Sequence, residues 1–329
     1  MKKAIISGAF GQDAKWLADL LASKGVGVVL VYRYSSVPIA ERAKYYELDN
    51  MLGLECLNIC DPTGVNEVVQ KYQPDYIYNL AAQSHVGQSF KEPAFALEVN
   101  TVGALNWLEA VRRFSPDSRF LQASTSEMWG SNYSVDPYGQ KYQDEHTPFA
   151  PNSPYAVAKL AAHNLCRIYR HSYGLFACTS ICHNHSSKIR GENFVERKIT
   201  KWIGANILDI RLGRKVEPLK LGNIDSVRDW TAAQDVVAGM DLIINHSEPN
   251  DFVLCSGRGT SVRALLSFAF SSVGINDWSE YVEIDPSLYR PCEVEFLQGR
   301  ADKAKEVLGW VPEISFEQLV EDMVKHDLG

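Results

Sequence analysis

Short apolar runs alternate with amphipathic stretches along the first half of the chain. The β-rich runs fall at residues 4–7, 27–33, 54–58, 75–80, 119–123 and 175–182. Between them lie stretches with helical spacing. In residues 12–24, Trp16, Leu17, Leu20 and Leu21 form one stripe and Gly25 is placed to stop the helix. Strand and helix in turn build a parallel sheet covered by helices, so the pattern predicts an α/β fold, a Rossmann-type doubly wound parallel sheet.

Beyond about residue 183 the alternation weakens. Loops rich in charge and glycine, at residues 184–193, 219–230 and 285–299, separate further helices. These predict a smaller C-terminal substrate lobe. Residues 251–256 again read as a sheet strand, so the two lobes interleave. The expected division is a dinucleotide-binding domain over residues 1–182 with a part returning near 230–257, and a substrate lobe over 183–229 and 258–329.

Composition narrows the chemistry. A chain of 329 residues that is 46% hydrophobic can bury a sizeable core. Its formal charge of -7 argues against a nucleic-acid surface, which needs clustered Lys and Arg. Gly8 and Gly11 interrupt the apolar start too early for an export signal, and no stretch approaches the ~20 apolar residues of a membrane span. The seven cysteines are odd in number and scattered, which fits a reducing, cytoplasmic setting. Cys178, Cys182, His183 and His185 are close enough in sequence to suggest zinc, but an apolar strand through 175–182 puts both thiols on a core face, and no metal is expected.

Two motifs carry chemistry. Strand 4–7 runs through Gly8-Ala9-Phe10-Gly11-Gln12-Asp13-Ala14 directly into a helix, placing glycines where backbone approaches a pyrophosphate at a helix N-terminus. Ala14 stands where a third glycine would allow close helix–strand packing, and is small enough to keep it. The second strand ends in Arg33 and not an acidic residue; a guanidinium there suits a 2′-phosphate, hence NADP.

Ser153 and Pro154 open a helix that puts Tyr155 and Lys159 one turn apart on one face. That spacing recurs by chance, but beside a dinucleotide loop it has a purpose. A phenol with pKa near 10 becomes a base at neutral pH only with about 4 kcal/mol of preferential phenolate stabilisation, which the Lys159 ammonium and a positive nicotinamide ring could supply. Upstream, the fifth strand ends in Ser124-Thr125-Ser126-Glu127, bringing a hydroxyl and a carboxylate to the sheet edge where ligands bind.

These motifs, with Asn79-Leu80-Ala81-Ala82-Gln83-Ser84-His85-Val86, resemble the extended short-chain dehydrogenase/reductases. More narrowly, the chain resembles the GDP-mannose 4,6-dehydratase family, through Asn184-His185, Arg190-Gly191-Glu192, residues 194–198, Leu221-Gly222-Asn223, Arg228-Asp229-Trp230, Arg290-Pro291 and Leu308-Gly309-Trp310 in the family's order. The resemblance implies a redox-neutral removal of water from a sugar nucleotide, GDP-mannose, with Thr125, Glu127, Tyr155 and Lys159 catalytic. It places Gly8, Gly11, Gln12, Asp13, Arg33, Asn58, Ile59, Leu80, Ala81, Ala82, Ser84, Lys159, His185 and Arg190 at NADP. It places Ser84, Ser89, Ser126, Asn184, Glu192, Lys198, Gly222, Arg228, Arg290 and Glu293 at the substrate, with the two arginines on its diphosphate. It also implies a homo-dimer or homo-tetramer, since residues 34–42 resemble a loop that bridges protomers, and a structural role for His85.

The chain departs from the family at Asn58, where an aspartate is usual, at Phe95, where a cofactor-side tyrosine is usual, and at Met128-Trp129 in place of Leu-Tyr. The loop at residues 130–147 is a few residues longer, which bears on any lid over the sugar. Two alternatives stand beside the main reading. One is a dehydratase of dTDP- or CDP-sugars, whose dTDP-glucose members usually carry aspartate where this chain has Ser126; the other is a cofactor-sensing protein without chemistry, which would not need all four catalytic groups.

Overall fold

A computed structural model describes residues 1–43, 46 and 51–329. Among them, seven parallel strands form one sheet: β1 (Lys3–Ser7), β2 (Gly27–Tyr32), β3 (Met51–Cys56), β4 (Tyr76–Asn79), β5 (Arg119–Thr125), β6 (Ala177–Cys182) and, from far along the chain, β7 (Asp251–Leu254). Their spatial order is β7-β6-β5-β4-β1-β2-β3, reversing between β1 and β4. That reversal opens a crevice at the C-terminal strand ends, where doubly wound sheets bind ligands.

Both faces of the sheet are buried because alternate residues of each strand feed different cores. Ala4 and Ile6 face one cluster with Leu17, Ala18 and Leu21 of helix α1 (Gln12–Ser23); Ile5 faces the other with Trp107, Leu108 and Val111. Strand limits differ from the sequence expectation for local reasons. β3 stops at Cys56 because the Asn58 side chain accepts from Cys60 N at 3.2 Å and turns the chain into the next helix. β6 starts only at Ala177, after Gly174 at φ 66 has capped helix α2 (Pro154–Tyr173).

The edge strand β7 is held by side chains. Arg170 of α2 forks onto Asp251, Thr179 Oγ1 donates to the same carboxylate at 2.8 Å, and Glu145 accepts from Val253 N at 2.8 Å. These contacts occupy an edge that would otherwise offer free backbone groups.

A separate core unites helix α3 (Val195–Arg211), helix α4 (Val262–Ser271) and helix α5 (Phe316–Leu328) through Ile199, Ile203, Leu265, Phe270, Leu319 and Met323. Residues 130–147 do not cover the cleft described below. Trp129 Nε1 donates to Thr147 O at 3.0 Å, and buried Gln143 bonds Asn132 O, Phe296 O and the backbone of Gln298, so this segment packs away against residues 296–300.

Candidate active site

The cleft at the switch point encloses about 900 Å³. At one end β1 gives way to the glycine loop. Gly8 has φ +94, and a Cβ there would lie 2.7 Å from Ala81 N, so only glycine lets the ends of β1 and β4 approach this closely. Gly11 is the N-cap of α1 and offers no side-chain cap, which leaves the first-turn N–H groups facing the cleft. Ala14 is buried, as close helix–strand packing requires.

Gln12 and Asp13 turn from the loop toward β8 (Asn184–Ser186). Gln12 donates to His185 O at 2.9 Å and accepts from Ser187 Oγ at 3.0 Å; Asp13 meets His185 Nε2 at 2.9 Å. Burial opposes the imidazolium, but the Asp13 carboxylate outweighs it and raises His185; burial likewise opposes the Asp13 carboxylate, and His185 outweighs it in the lowering direction. Arg190 lies over the Phe194 ring at 3.6 Å and pairs with Glu196 at 3.2 Å, still lining the cleft.

Arg33, just past β2, sits over the ring of Phe95 at 5.7 Å, so the departure from tyrosine leaves an aromatic support for a cation. A second cation joins it. Arg42 packs over Phe10 at 4.8 Å and Tyr32 at 5.4 Å, donates to Arg33 O at 3.1 Å, and lines the same end of the cleft. Sequence reasoning missed it, since nothing local says that a short helical turn over Ile39–Arg42 folds back here. Asn58, Ile59, Leu80, Ala81, Ala82 and Ser84, which the family resemblance places at the cofactor, line this region. An uncapped helix N-terminus beside two guanidinium groups is a donor set that fits a dinucleotide phosphate group.

At the centre, Thr125, Ser126, Glu127, Tyr155 and Lys159 all open onto the cleft. Ser153 caps α2 by accepting from Ala156 N at 3.1 Å, and Ser89 accepts from Tyr155 N at 3.2 Å. The Thr125 hydroxyl accepts from Glu127 N at 3.3 Å and lies beside the Tyr155 phenol, and Lys159 Nζ donates to Ala123 O at 2.9 Å. The phenol is not lowered here, contrary to the expectation from Lys159. Burial pushes it up, Thr125 pulls it down, and the nearby Glu127 carboxylate adds to the rise; burial brings the Lys159 ammonium down to about 8. The ammonium alone does not overcome that desolvation.

Toward the other end the cleft is lined by Asn184, Lys198, Gly222 and Arg290. Lys198 Nζ donates to Lys220 O at 2.6 Å. Four groups expected at the substrate do not line the cleft: Ser89, Glu192, Arg228 and Glu293. Ser89 lies beneath the start of α2, with its hydroxyl donated to Val86 O. Glu192 pairs with Lys201 at 2.7 Å on the surface, and buried Arg228 pairs with Glu293 at 3.2 Å just behind Arg290.

His85 accepts from Gln88 N through Nδ1 as the N-cap of a short turn. From the sequence, His183, beside Cys182 and Asn184, suggests only a zinc ligand. It stacks on Trp129 at 5.4 Å, both its ring nitrogens are buried without a partner, and burial lowers it to about 3. Cys178 and Cys182 belong to the core, and among the described residues no group of three or more His, Cys, Asp or Glu is placed to hold a metal ion.

Comparison with known proteins identifies the family of the chain. The family model for GDP-mannose 4,6 dehydratase matches residues 5–323. GDP-mannose 4,6 dehydratase 2 of Arabidopsis thaliana is 42% identical over 337 residues, spanning 99% of this chain and 87% of the relative. Among solved structures, dTDP-glucose 4,6-dehydratase of Bacillus anthracis in complex with NAD has a TM-score of 0.82 at 18% identity, covering 99% of this chain and 96% of that one. RMD of Pseudomonas aeruginosa complexed with NADPH has a TM-score of 0.78 at 23% identity, covering 100% and 99%. At such identities the two structures speak for the fold.

Proposed function

The chain belongs to the GDP-mannose 4,6-dehydratase family, and from that premise we propose that it converts GDP-mannose to GDP-4-keto-6-deoxymannose as an NADP-dependent lyase. One observation supports this above the rest: a phenol, an ammonium, a hydroxyl and a carboxylate, from Tyr155, Lys159, Thr125 and Glu127, open onto one cleft that also holds the uncapped N-terminus of α1. An ordinary dehydrogenase has no use for the carboxylate.

When bound, the nicotinamide dinucleotide supplies the acceptor and later the donor of a hydride. Tyr155 takes the proton of the sugar 4-hydroxyl at its phenolic oxygen, with Thr125 holding that hydroxyl in line; the phenolate stabilisation that the buried Lys159 ammonium alone does not provide would come from the positive nicotinamide ring when it is bound. A ketone at C4 acidifies the hydrogen on C5. Glu127 removes that proton and delivers one to the departing 6-hydroxyl, which leaves as water, a role worth about 10²–10⁴ in rate. As C6 receives the hydride, the proton that Tyr155 took from the 4-hydroxyl passes to C5, so Tyr155, Lys159 and Glu127 end as they began.

Lys198 and Arg290 reach the diphosphate from the cleft wall, with Arg228 and Glu293 holding position behind them. Ser84, Ser126, Asn184 and the backbone at Gly222 supply polar contacts to the sugar and nucleotide. Arg33 and Arg42 select the 2′-phosphate of NADP. Ser126, between Thr125 and Glu127, favours the GDP-mannose branch over the dTDP-glucose one.

Mass spectrometry of GDP-mannose and of dTDP-glucose incubated with the protein and NADP tests this. Loss of one water from GDP-mannose alone is expected; an unaltered sugar, or loss from dTDP-glucose instead, defeats the assignment.

A further inference from the structure

Four charged side chains run in sequence from the substrate end of the cleft into the wall behind it. Glu127 Oε1 is 3.4 Å from Arg290 Nη1, Arg290 Nη1 is 3.9 Å from Glu293, and Glu293 is 3.2 Å from Arg228. Two carboxylates and two guanidinium groups balance, so the row is satisfied without any ligand. Its members are not equally wet: the side chain of Arg228 is 6% exposed and that of Glu127 11%, against 32% for Arg290. Arg290 also lies outside any helix or strand, between the turn Pro286–Leu288 and the helix Asp302–Leu308. It is the one cation of the row that lines the cleft, and it cannot give the same N–H groups to Glu127 and to a diphosphate.

We propose that Arg290 is a positioning residue for Glu127, holding the carboxylate until an incoming diphosphate takes the guanidinium away. This rests on the reading of Glu127 as the C5 base and of Arg290 as a diphosphate contact. While Arg290 holds it, the carboxylate oxygen is tied toward the cleft wall. Once the diphosphate accepts from Arg290, Glu293 keeps its buried partner Arg228 and Glu127 is left free to turn to C5. Sugars lacking a diphosphate leave the latch closed, so the row ties elimination to the presence of the nucleotide.

The latch has a consequence that catalysis alone does not: the carboxylate competes with nucleotide for Arg290. Calorimetric binding of GDP to the NADP-loaded protein reads this directly. Glu127→Gln, whose amide carries no charge to hold the guanidinium, is expected to bind GDP about three- to ten-fold more tightly than the parent. Glu127→Asp, which draws the carboxylate back by one methylene, gives an intermediate gain and serves if the glutamine variant does not fold. In an Arg290→Gln background the same Glu127 change moves Kd by less than about two-fold. Unchanged or weaker binding in Glu127→Gln overturns the latch. So does a gain that persists undiminished without Arg290, which reports only relief of repulsion between carboxylate and diphosphate. Loss of water elimination in Glu127→Gln is read separately and bears on the proposed base, whichever way the binding falls.

Discussion

Lys159 Nζ donates to the carbonyl of Ala123 at 2.9 Å, two residues before the threonine that lies beside Tyr155. The ammonium is buried, and burial brings its pKa from 10.5 down to about 8. As pH rises the folded chain therefore gives up this proton before the unfolded chain does, so stability climbs between about pH 8 and 10.5 and carries a cost below that window. Lys159→Met is expected to lose at least about 100-fold in kcat while melting no lower than the parent at neutral pH. Scanning calorimetry beside steady-state rates checks this. A variant that melts well below the parent would show that Lys159 supports the fold more than the chemistry.

Glu127→Gln separates the two halves of the reaction. The amide keeps the shape but cannot take the C5 proton, so water loss should fall by about 10²–10⁴ while reduction of the nicotinamide persists. Absorbance of the reduced cofactor, followed with the mass of the sugar nucleotide, distinguishes the steps. Water loss at the parent rate would remove Glu127 from the role of base.

Cofactor preference should depend on both cations at the end of β2. Arg33→Ala and Arg42→Ala are each expected to weaken NADP binding by roughly 10- to 100-fold and NAD binding by less than about three-fold. Fluorescence titration of the two dinucleotides measures it. Equal losses for both would mean that the arginines support the loop and do not read the phosphate.

His183 should make the protein acid-sensitive. Burial, aided by the nearby Arg228 charge, lowers its pKa from 6.5 to about 3, so between those values the unfolded state holds a proton that the folded state refuses. Stability then falls as pH drops through that window, by up to about 1.4 kcal/mol per pH unit from this group. Asp229 bends the profile the other way, since burial raises it to about 6. The readout is therefore the difference between parent and His183→Phe in denaturant midpoints from about pH 7 to pH 4.5, where the variant is expected to show the shallower acid loss. Parallel profiles for the two proteins contradict the assignment.

The sheet was legible because strands buried on both faces keep apolar residues at successive positions, as Val28 to Val31 do. Tyr155 and Lys159 were legible because helical spacing is local, and Thr125 and Glu127 because a strand end is. Arg42 was not, since its approach to Arg33 depends on how residues 34–42 fold back over Phe10 and Tyr32. The pairing of Glu127 with Arg290 spans 163 positions and no pattern along the chain announces it. The family resemblance places Ser89 at the substrate, while its hydroxyl is engaged with Val86 and Tyr155. A motif identifies which residue is present; which neighbour consumes its hydrogen bonds is decided in three dimensions.

Strand β7 lies at the border of the dinucleotide sheet, yet it reaches the ribosome exit long after the other six. Until synthesis passes Leu254, Arg170 and Thr179 have no Asp251 to grip, and β6 presents a bare rim. A chain halted upstream of that point holds six of the seven strands and leaves β6 as an open edge on which other chains can pair. Truncation there is expected to favour aggregation over a separately folding fragment.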